Sequence, residues 1–304
     1  MPKSTLGVLL LLLGCVSAFS QQPPRNPAGQ AAERNPAPTL RQIIPGHYVY
    51  SSTTYNSGII VTSEGVVVLD ALNSEAVARA QREAIASTIR QPVRILVSST
   101  FHNNYSKGNV AYADVLKIGH ENYRTDLLEL MQREKVSAEE QRARLPNQTL
   151  RDRMTLYLGG KEIQILYVGR AHTRGDSIIF VPQDRIAYLS ELYFADQFLF
   201  INDGYGLDWL RAVGAVEALG ADIFVPGHGP IPADPRETRQ GLRRFRQMLV
   251  DVRDAVQREI GRGATEDQAV AAIRWPQYEK FQGYDAQRET AVRRLYQQLT
   301  GKLP

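Results

Sequence analysis

Two periods of apolar positions alternate along the chain, and their order predicts its elements. Between Ser57 and Ala71, two β-branched runs flank Ser63-Glu64-Gly65, the pattern of a hairpin whose second strand ends at Asp70. Ser74 precedes a segment with Ala and Ile on one helical face, so it caps a helix running to about Arg90. Val93–Val97 is a short apolar run of buried-strand length. It leads into a polar loop, Ser99–Asn109, reading STFHNNYSKGN. A strand at Val115–Ile118 lies between two helical stretches, and Lys135–Gln148 is polar without a period, which predicts an irregular surface excursion. Met154–Leu158 and Lys161–Tyr167 flank Gly159-Gly160, a pair that tolerates φ > 0 and suits a two-residue hairpin turn. Strands follow at Ser177–Val181 and Ile186–Leu189, then an amphipathic helix at Leu207–Leu219 and a strand at Asp222–Val225. Beyond Pro232 the pattern is helical only. Asp234 and Pro235 start a long helix to about Ile260, Thr265 and Gln268 form a capping box, and a last helix runs from Asp285 to Leu299.

Strand hairpins and helices thus alternate twice before a helical tail closes the chain. The expected class is α/β, with two sheets sandwiched between helices in one domain. Its core spans residues 41–232, and a helical extension, 233–304, packs on the same domain. Residues 21–40 are rich in Pro, Gln, Asn and Ala and predict a disordered spacer. Residues 1–20 read as an export signal, with Lys3 as the positive end and Leu6–Leu13 as an apolar run too short to span a bilayer. Ala18-Phe19-Ser20 is a small-x-small cleavage pattern that would release a soluble protein. Leu12-Leu13-Gly14-Cys15 is a lipobox-like alternative that would leave a lipid anchor on Cys15. Either way the expected location is periplasmic or secreted.

Composition narrows the function classes. Hydrophobic residues make up 43% and charged residues 22% of 304, the balance of a globular protein with a core. The formal charge of +4 is small, and arginines such as those in Arg243–Gln247 scatter over helix faces without interleaved aromatics. That argues against a nucleic-acid partner and leaves a small-molecule substrate. Cys15 is the single cysteine, so the folded domain has neither an internal disulfide nor a thiolate ligand or nucleophile.

The candidate chemistry lies in the histidines. Of five, His102, His172 and His228 each follow a β-rich run and sit in a Gly-containing loop. Neutral imidazole is the commonest transition-metal ligand, and loops at strand ends let distant ligands converge. His47 and His120 have structural contexts. Ser106 and Ser190 have no positioned base, so serine nucleophiles are not expected. Tyr193, Phe194, Phe198 and Phe200 read either as core or as an apolar pocket wall, and Lys107 either as an exposed loop lysine or as an anion-binding residue in the pocket.

The segments GRAHTRGD at Gly169–Asp176, YLSELY at Tyr188–Tyr193 and VPGHGP at Val225–Pro230, in this strand order, resemble the metallo-β-lactamase superfamily of metal-dependent hydrolases. The resemblance runs from about Arg41 to the C-terminus and implies a four-layer αββα sandwich. The family's first loop reads T-H-x-H-x-D-H-x-x-G. Laid on Ser99–Gly108, it places its second His on His102 and its Gly on Gly108, while Thr100, Asn104 and Tyr105 stand where it has His, Asp and His. Its later ligands fall on His172, on Glu191 in place of an Asp, and on His228. The resemblance therefore implies a metal set of His102, His172, His228 and Glu191, altered from the usual pair of sites.

The replacements change the expected chemistry. A Thr100 hydroxyl is a poor ligand. Asn104 cannot act as a general base, and Tyr105 ligates as phenolate only if a cation lowers a pKa of about 10. One merged site is expected, holding zinc, with iron or manganese as alternatives. Glu191, Asn104 and Tyr105 would be its catalytic groups, and Thr100, Asp70 and Asp176 its supporting ones. Asp70 either hydrogen-bonds the ligand loop or caps the turn at Ala71, and Asp176 either fixes the His172 loop or caps a strand end. The expected activity is hydrolysis of an ester, amide, lactam or thioester. The alternatives are a non-catalytic binding protein of the same fold and an iron-dependent thiol oxidation.

Overall fold

The stretch from Thr39 to Leu69 folds as an antiparallel meander: β1 (Thr39–Ile44), β2 (His47–Ser52), β3 (Tyr55–Thr62) and β4 (Gly65–Leu69). The computed structural model describes Met1 and residues 38–303; the export signal, Cys15 and nearly all of the expected spacer lie outside the described residues. β1 starts at Thr39, so the sheet takes in the last two residues of the stretch read as spacer. Ser74 caps α1 (Glu75–Thr88) by accepting a hydrogen bond from Val77 N at 3.2 Å, as its position before the helix requires. β5 (Val93–Ser98) lies parallel to β4 and ends at the polar loop, where α2 (Asn103–Ser106) is a single turn. β6 (Leu116–His120) follows, parallel to β5, then α3 (Glu121–Arg133), α4 (Ala138–Arg144) and β7 (Gln148–Leu150).

The second half begins with the hairpin of β8 (Arg153–Leu158) and β9 (Lys161–Leu166), followed by β10 (Ile178–Val181) and β11 (Ile186–Phe194). α5 (Gly206–Glu217) crosses over to β12 (Ile223–His228), parallel to β11. The tail is α6 (Thr238–Gly261), α7 (Glu266–Ala272), opened by the Thr265/Gln268 capping box, and α8 (Tyr284–Leu299).

The strands are ordered β7-β6-β5-β4-β3-β12-β11-β10-β9-β8, and β3 meets β12 at one pairing, His228 with Tyr55. Side chains from both sides of that seam share one apolar layer, among them Val67, Val97 and Ile118 from the first half and Ile165, Ile179 and Val225 from the second. The outer face of the first half is covered by α1 through Val68, Leu96 and Ile85. The outer face of the second is covered by α5, α6 and α8 through Trp209, Phe245 and Leu295. Two sheet halves between helices give the four-layer αββα sandwich. The tail helices share one core with β11 and α5.

Two elements differ from expectation. The polar stretch read as irregular contains α4, capped by Ser137 Oγ accepting from Glu140 N at 3.2 Å. Its buried position is occupied by a cation, Arg144 (0% exposed), so no apolar period announces the helix. β11 runs to Phe194, past the expected end at Leu189, with every residue buried. It bulges at Ser190, a non-glycine residue at φ +46°. Gly227 packs on that bulge, where a Cβ would sit 2.3 Å from the Ser190 carbonyl, so the glycine is sterically required.

Candidate metal centre

Loops at strand ends bring the chemistry together. β5 leads to His102, just before α2; the β9–β10 loop carries His172; β11 carries Glu191 directly after its bulge; β12 ends on His228. The ends of parallel strands are where an open α/β layer presents side chains to a ligand.

Glu191 (2% exposed) is the centre of the cluster. Its Oε2 lies 2.9 Å from His102 Nδ1 and 3.0 Å from His172 Nδ1. Its Oε1 lies 3.1 Å from His228 Nε2 and accepts from Asn104 Nδ2 at 2.8 Å. Ligand-type atoms of His102, His172 and Glu191 all fall within 4.8 Å of one another, the spacing at which they could share one ion. His228 touches Glu191 but lies outside that triplet.

His172 is the residue that argues most directly for a metal. It is 1% exposed, and both of its ring nitrogens lack a hydrogen-bond partner, because the 3.0 Å approach to Glu191 is not aligned as a hydrogen bond. Thr100 Oγ1, buried in the same loop as His102, is also without a partner. Buried polar atoms are nearly always satisfied. A buried imidazole with two unpaired nitrogens beside a carboxylate and a second imidazole fits a bound cation.

Asp203, in the segment between β11 and α5, was not singled out by the sequence. Its Oδ2 lies 2.9 Å from His102 Nε2. With an ion bound, the proton held on Nε2 by Asp203 would leave the Nδ1 lone pair for the ion, a carboxylate–imidazole arrangement that fixes a ligand's tautomer. Asn202-Asp203-Gly204 reads as an ordinary turn, and no spacing links it to His102. In the ion-free site, burial pushes the His102 pKa down, but the charges and hydrogen bonds of Glu191 and Asp203 outweigh it and push it up to about 10. Burial acts to raise the Glu191 carboxyl, and His172 and His102 more than reverse this, holding it well below the usual carboxylate range. Glu191 is therefore ionised.

The other expected residues have defined places. Asp70 ties the loops together: Oδ1 accepts from Ser99 N at 2.8 Å, and Oδ2 accepts from Ser99 Oγ at 2.7 Å and Ser190 Oγ at 2.6 Å. Burial nonetheless raises its pKa to about 7. Asp176 Oδ2 accepts from Thr173 N at 2.7 Å and its Oδ1 from the Thr173 hydroxyl, closing the His172 loop. The Tyr105 hydroxyl donates to the Gly227 carbonyl, and burial pushes its pKa well above the usual range. The phenol thereby braces the β5 loop against β12, with its hydroxyl committed to a backbone carbonyl. Arg144 supports the same loop from beneath, donating to Asn103 Oδ1 at 2.8 Å and Ser106 Oγ at 3.1 Å. His47 and His120 lie elsewhere: His47 contacts Tyr188 and Asp184, and His120 caps α3.

A cavity of about 430 Å³ opens onto the cluster. His102, Asn104, Glu191 and His228 form its floor, and Phe194, Phe198 and Phe200 line one side. The aromatic rim read from the sequence as core or wall is both: Phe194 and Phe198 are buried, and Phe200 is 45% exposed.

The profile of the "Metallo-beta-lactamase superfamily" matches residues 53–228, more than half of the chain. Among curated proteins, the chain is 22% identical over 167 residues to a linear primary-alkylsulfatase from Pseudomonas sp. (strain ATCC 19151), covering 51% of this chain and 31% of that one. It is 22% identical over 202 residues to the 2,4-dinitroanisole O-demethylase subunit alpha of Nocardioides sp. (strain JS1661), covering 64% of this chain and 59% of that one. The match thus spans less than two thirds of either relative. A metallo-beta-lactamase from Pontibacter korlensis superposes with a TM-score of 0.60 at 19% identity, covering 70% of this chain and 99% of its own. The stereoselective inverting sec-alkylsulfatase Pisa1 from Pseudomonas sp. superposes with a TM-score of 0.68 at 15% identity, covering 87% of this chain and 50% of its own. The layered fold, the strand-end loops and the profile agree, and the chain belongs to the metallo-beta-lactamase superfamily.

Proposed function

We propose that the chain is a metal-dependent hydrolase using a single divalent ion, zinc first, held by His102, His172 and Glu191. Its substrate is a small molecule with an ester, amide, lactam or thioester bond. The carrying observation is His172, a fully buried imidazole with no hydrogen bond, set against Glu191 and His102. Two imidazoles and one carboxylate, with a position left open, is one of the recurring ligand sets of catalytic zinc. When bound, the ion supplies Lewis acidity to a carbonyl oxygen and to water. Asp203 holds the His102 tautomer, and Asn104 orients Glu191. His228, 3.1 Å from Glu191 and facing the cavity, is placed to take up or deliver a proton. With Tyr105 turned to Gly227 and Asn104 donating its amide, His228 has no partners for a second ion of the family kind.

The names of the relatives support this reading: the set includes sulfatases and lactamases, among them a metallo-beta-lactamase from Pseudomonas aeruginosa in its mono-zinc form (TM-score 0.59). The N-terminal segment adds the proposal that the enzyme acts in the periplasm or outside the cell, either free or lipid-anchored through Cys15.

The test uses protein purified without chelator. Its metal content is measured, and its turnover of 4-nitrophenyl acetate, a thioester and a chromogenic cephalosporin is followed before and after chelation. Turnover of at least one, lost on chelation and restored by zinc, is expected. A zinc-loaded protein inert toward all three classes contradicts the proposal and favours a binding protein of the same fold. A second reading rests on the same triplet, because a two-His-one-carboxylate set also suits non-haem iron. Retention of iron in place of zinc, with thiol-dependent oxygen uptake, would favour it.

A further inference from the structure

The helical tail reaches the metal cluster through a chain of contacts that starts at Arg294 of α8. Asp203, whose carboxylate meets Nε2 of His102, lies in a tight turn, residues 201–205, between β11 and α5. Backbone bonds pin that turn on both sides. Gly204 N donates to Ile201 O at 3.0 Å, and Tyr205 N donates to Ala171 O, next to His172, at 2.8 Å. The Gly204 carbonyl, directly after Asp203, accepts from Arg294 through Nη2 at 2.8 Å and Nε at 3.3 Å. The same guanidinium lies 5.9 Å from the centre of the Tyr205 ring, and that of Arg170 lies over the ring at 4.3 Å.

Asp203 itself is little confined by packing. Its side chain is 56% exposed and lines both the metal cavity and a smaller one of about 260 Å³, which Arg294, Tyr205 and Thr173 also line. A carboxylate on a half-open turn keeps a 2.9 Å contact with an imidazole only while the turn keeps its place. Among the described residues, Arg294 is the one side chain that hydrogen-bonds the backbone of this turn. A charged donor makes a stronger bond than a neutral one, and the planar fork sets a direction as well as a distance. Arg294 does not line the metal cavity, so it acts there only through Asp203.

We infer that Arg294 is a positioning residue of the metal centre. It fixes the Asp203 turn, Asp203 fixes the tautomer and rotation of His102, and the tail thereby sets metal affinity from outside the cavity. This role presupposes the ion held by His102, His172 and Glu191, and it is read from metal affinity without turnover.

Zinc affinity of the full-length protein, measured by competition with a chromophoric chelator, tests it. Arg294→Met keeps the apolar stem and removes the donors. It is expected to weaken zinc binding about fivefold, less than the roughly 10–100-fold cost of losing a ligand's direct outer partner. Arg294→Lys, which can return one donor, should recover part of the loss. In an Asp203→Ala background, Arg294→Met should change the affinity by less than about twofold, because residues acting through one contact are not additive. Gln298→Leu is the control for a loosened tail. It removes the acceptor that Leu207 N meets at 3.0 Å, one turn further along α8, and should leave zinc affinity within about twofold of wild type. Thermal unfolding of the metal-free variants checks that each folds, and if Arg294→Met does not, Arg294→Lys in both backgrounds carries the comparison. An unchanged affinity, an undiminished loss in the Asp203→Ala background, or an equal loss in Gln298→Leu would overturn the inference. Wild type that takes up no zinc would end both this role and the hydrolase reading. Zinc affinities as expected, with no turnover of ester, thioester or lactam, would end the hydrolase reading alone.

Discussion

Asp203 determines which nitrogen of His102 faces the cluster, so its removal should act on metal binding before it acts on fold. The side chain is 56% exposed, and its defining contact is the 2.9 Å approach to His102 Nε2. Asp203→Ala is expected to weaken zinc binding by roughly 10–100-fold, the usual cost of losing a ligand's outer partner, with the melting temperature of the metal-free protein little changed. Competition with a chromophoric chelator measures this, and an unchanged affinity would remove Asp203 from the site. His102, His172, Glu191 and His228 were legible because each sits in a short segment at or near a strand end, in a motif of recognisable spacing. Asp203 was not, because it approaches from a turn distant in the chain, and no local pattern marks a residue by what it will meet.

At the scale of elements, the site depends on loops braced from outside. The polar loop Ser99–Asn109 carries one ligand, yet it is held by Asp70 from β4, by Arg144 from α4 and by the Tyr105 contact with β12. Arg144 is the least compensated of these. Its nearest carboxylate, Glu140, is 3.5 Å away and half-exposed, and its Nε lacks a partner. Burying a cation costs free energy, while its hydrogen bonds to Asn103 and Ser106 return some of it. Removal leaves those acceptors unpaired, and that effect should win. Arg144→Met is expected to lose on the order of 2 kcal/mol in urea denaturation, and equal or higher stability would show that desolvation dominates instead. The hairpins, β5 and the capped helices were legible because a period of two or a capping residue marks each. α4 was not, since its one deeply buried side chain is charged. β1 and β2 were passed over because they precede the first clean hairpin signal.

At the scale of the molecule, stability should depend on pH through a network far from the metal cluster. His47 is fully buried between Tyr188 and Asp184, with Lys161 also on Asp184. Burial lowers its pKa below 6.5, and the opposing pull of Asp184 does not restore it. The unfolded chain therefore binds this proton more readily than the folded one. The His47 contribution to stability should fall away as pH drops below about 6.5 and be constant above it. In denaturation between pH 5 and pH 8 (roughly the range in which His titrates), Glu and Asp contributions cancel when wild type is compared with His47→Gln. The variant should show the shallower acid-side loss, and identical slopes would rule out His47 as its source. The four-layer architecture was readable from the twice-repeated alternation of hairpins and helices. The fact that Gln282, Gly283 and Gln287 of the tail line the cavity was not, because helical periodicity reports that a face is buried and not what it is buried against.

The central claim is one ion per chain, bound by two imidazoles and a carboxylate and required for hydrolysis. The most direct measurement is a titration of metal-free, full-length protein with zinc, in which bound zinc and ester turnover are followed in the same samples. The account predicts that both saturate together at about one equivalent, and that Glu191→Gln abolishes both. Saturation at two equivalents, or turnover that persists without bound metal, would contradict it.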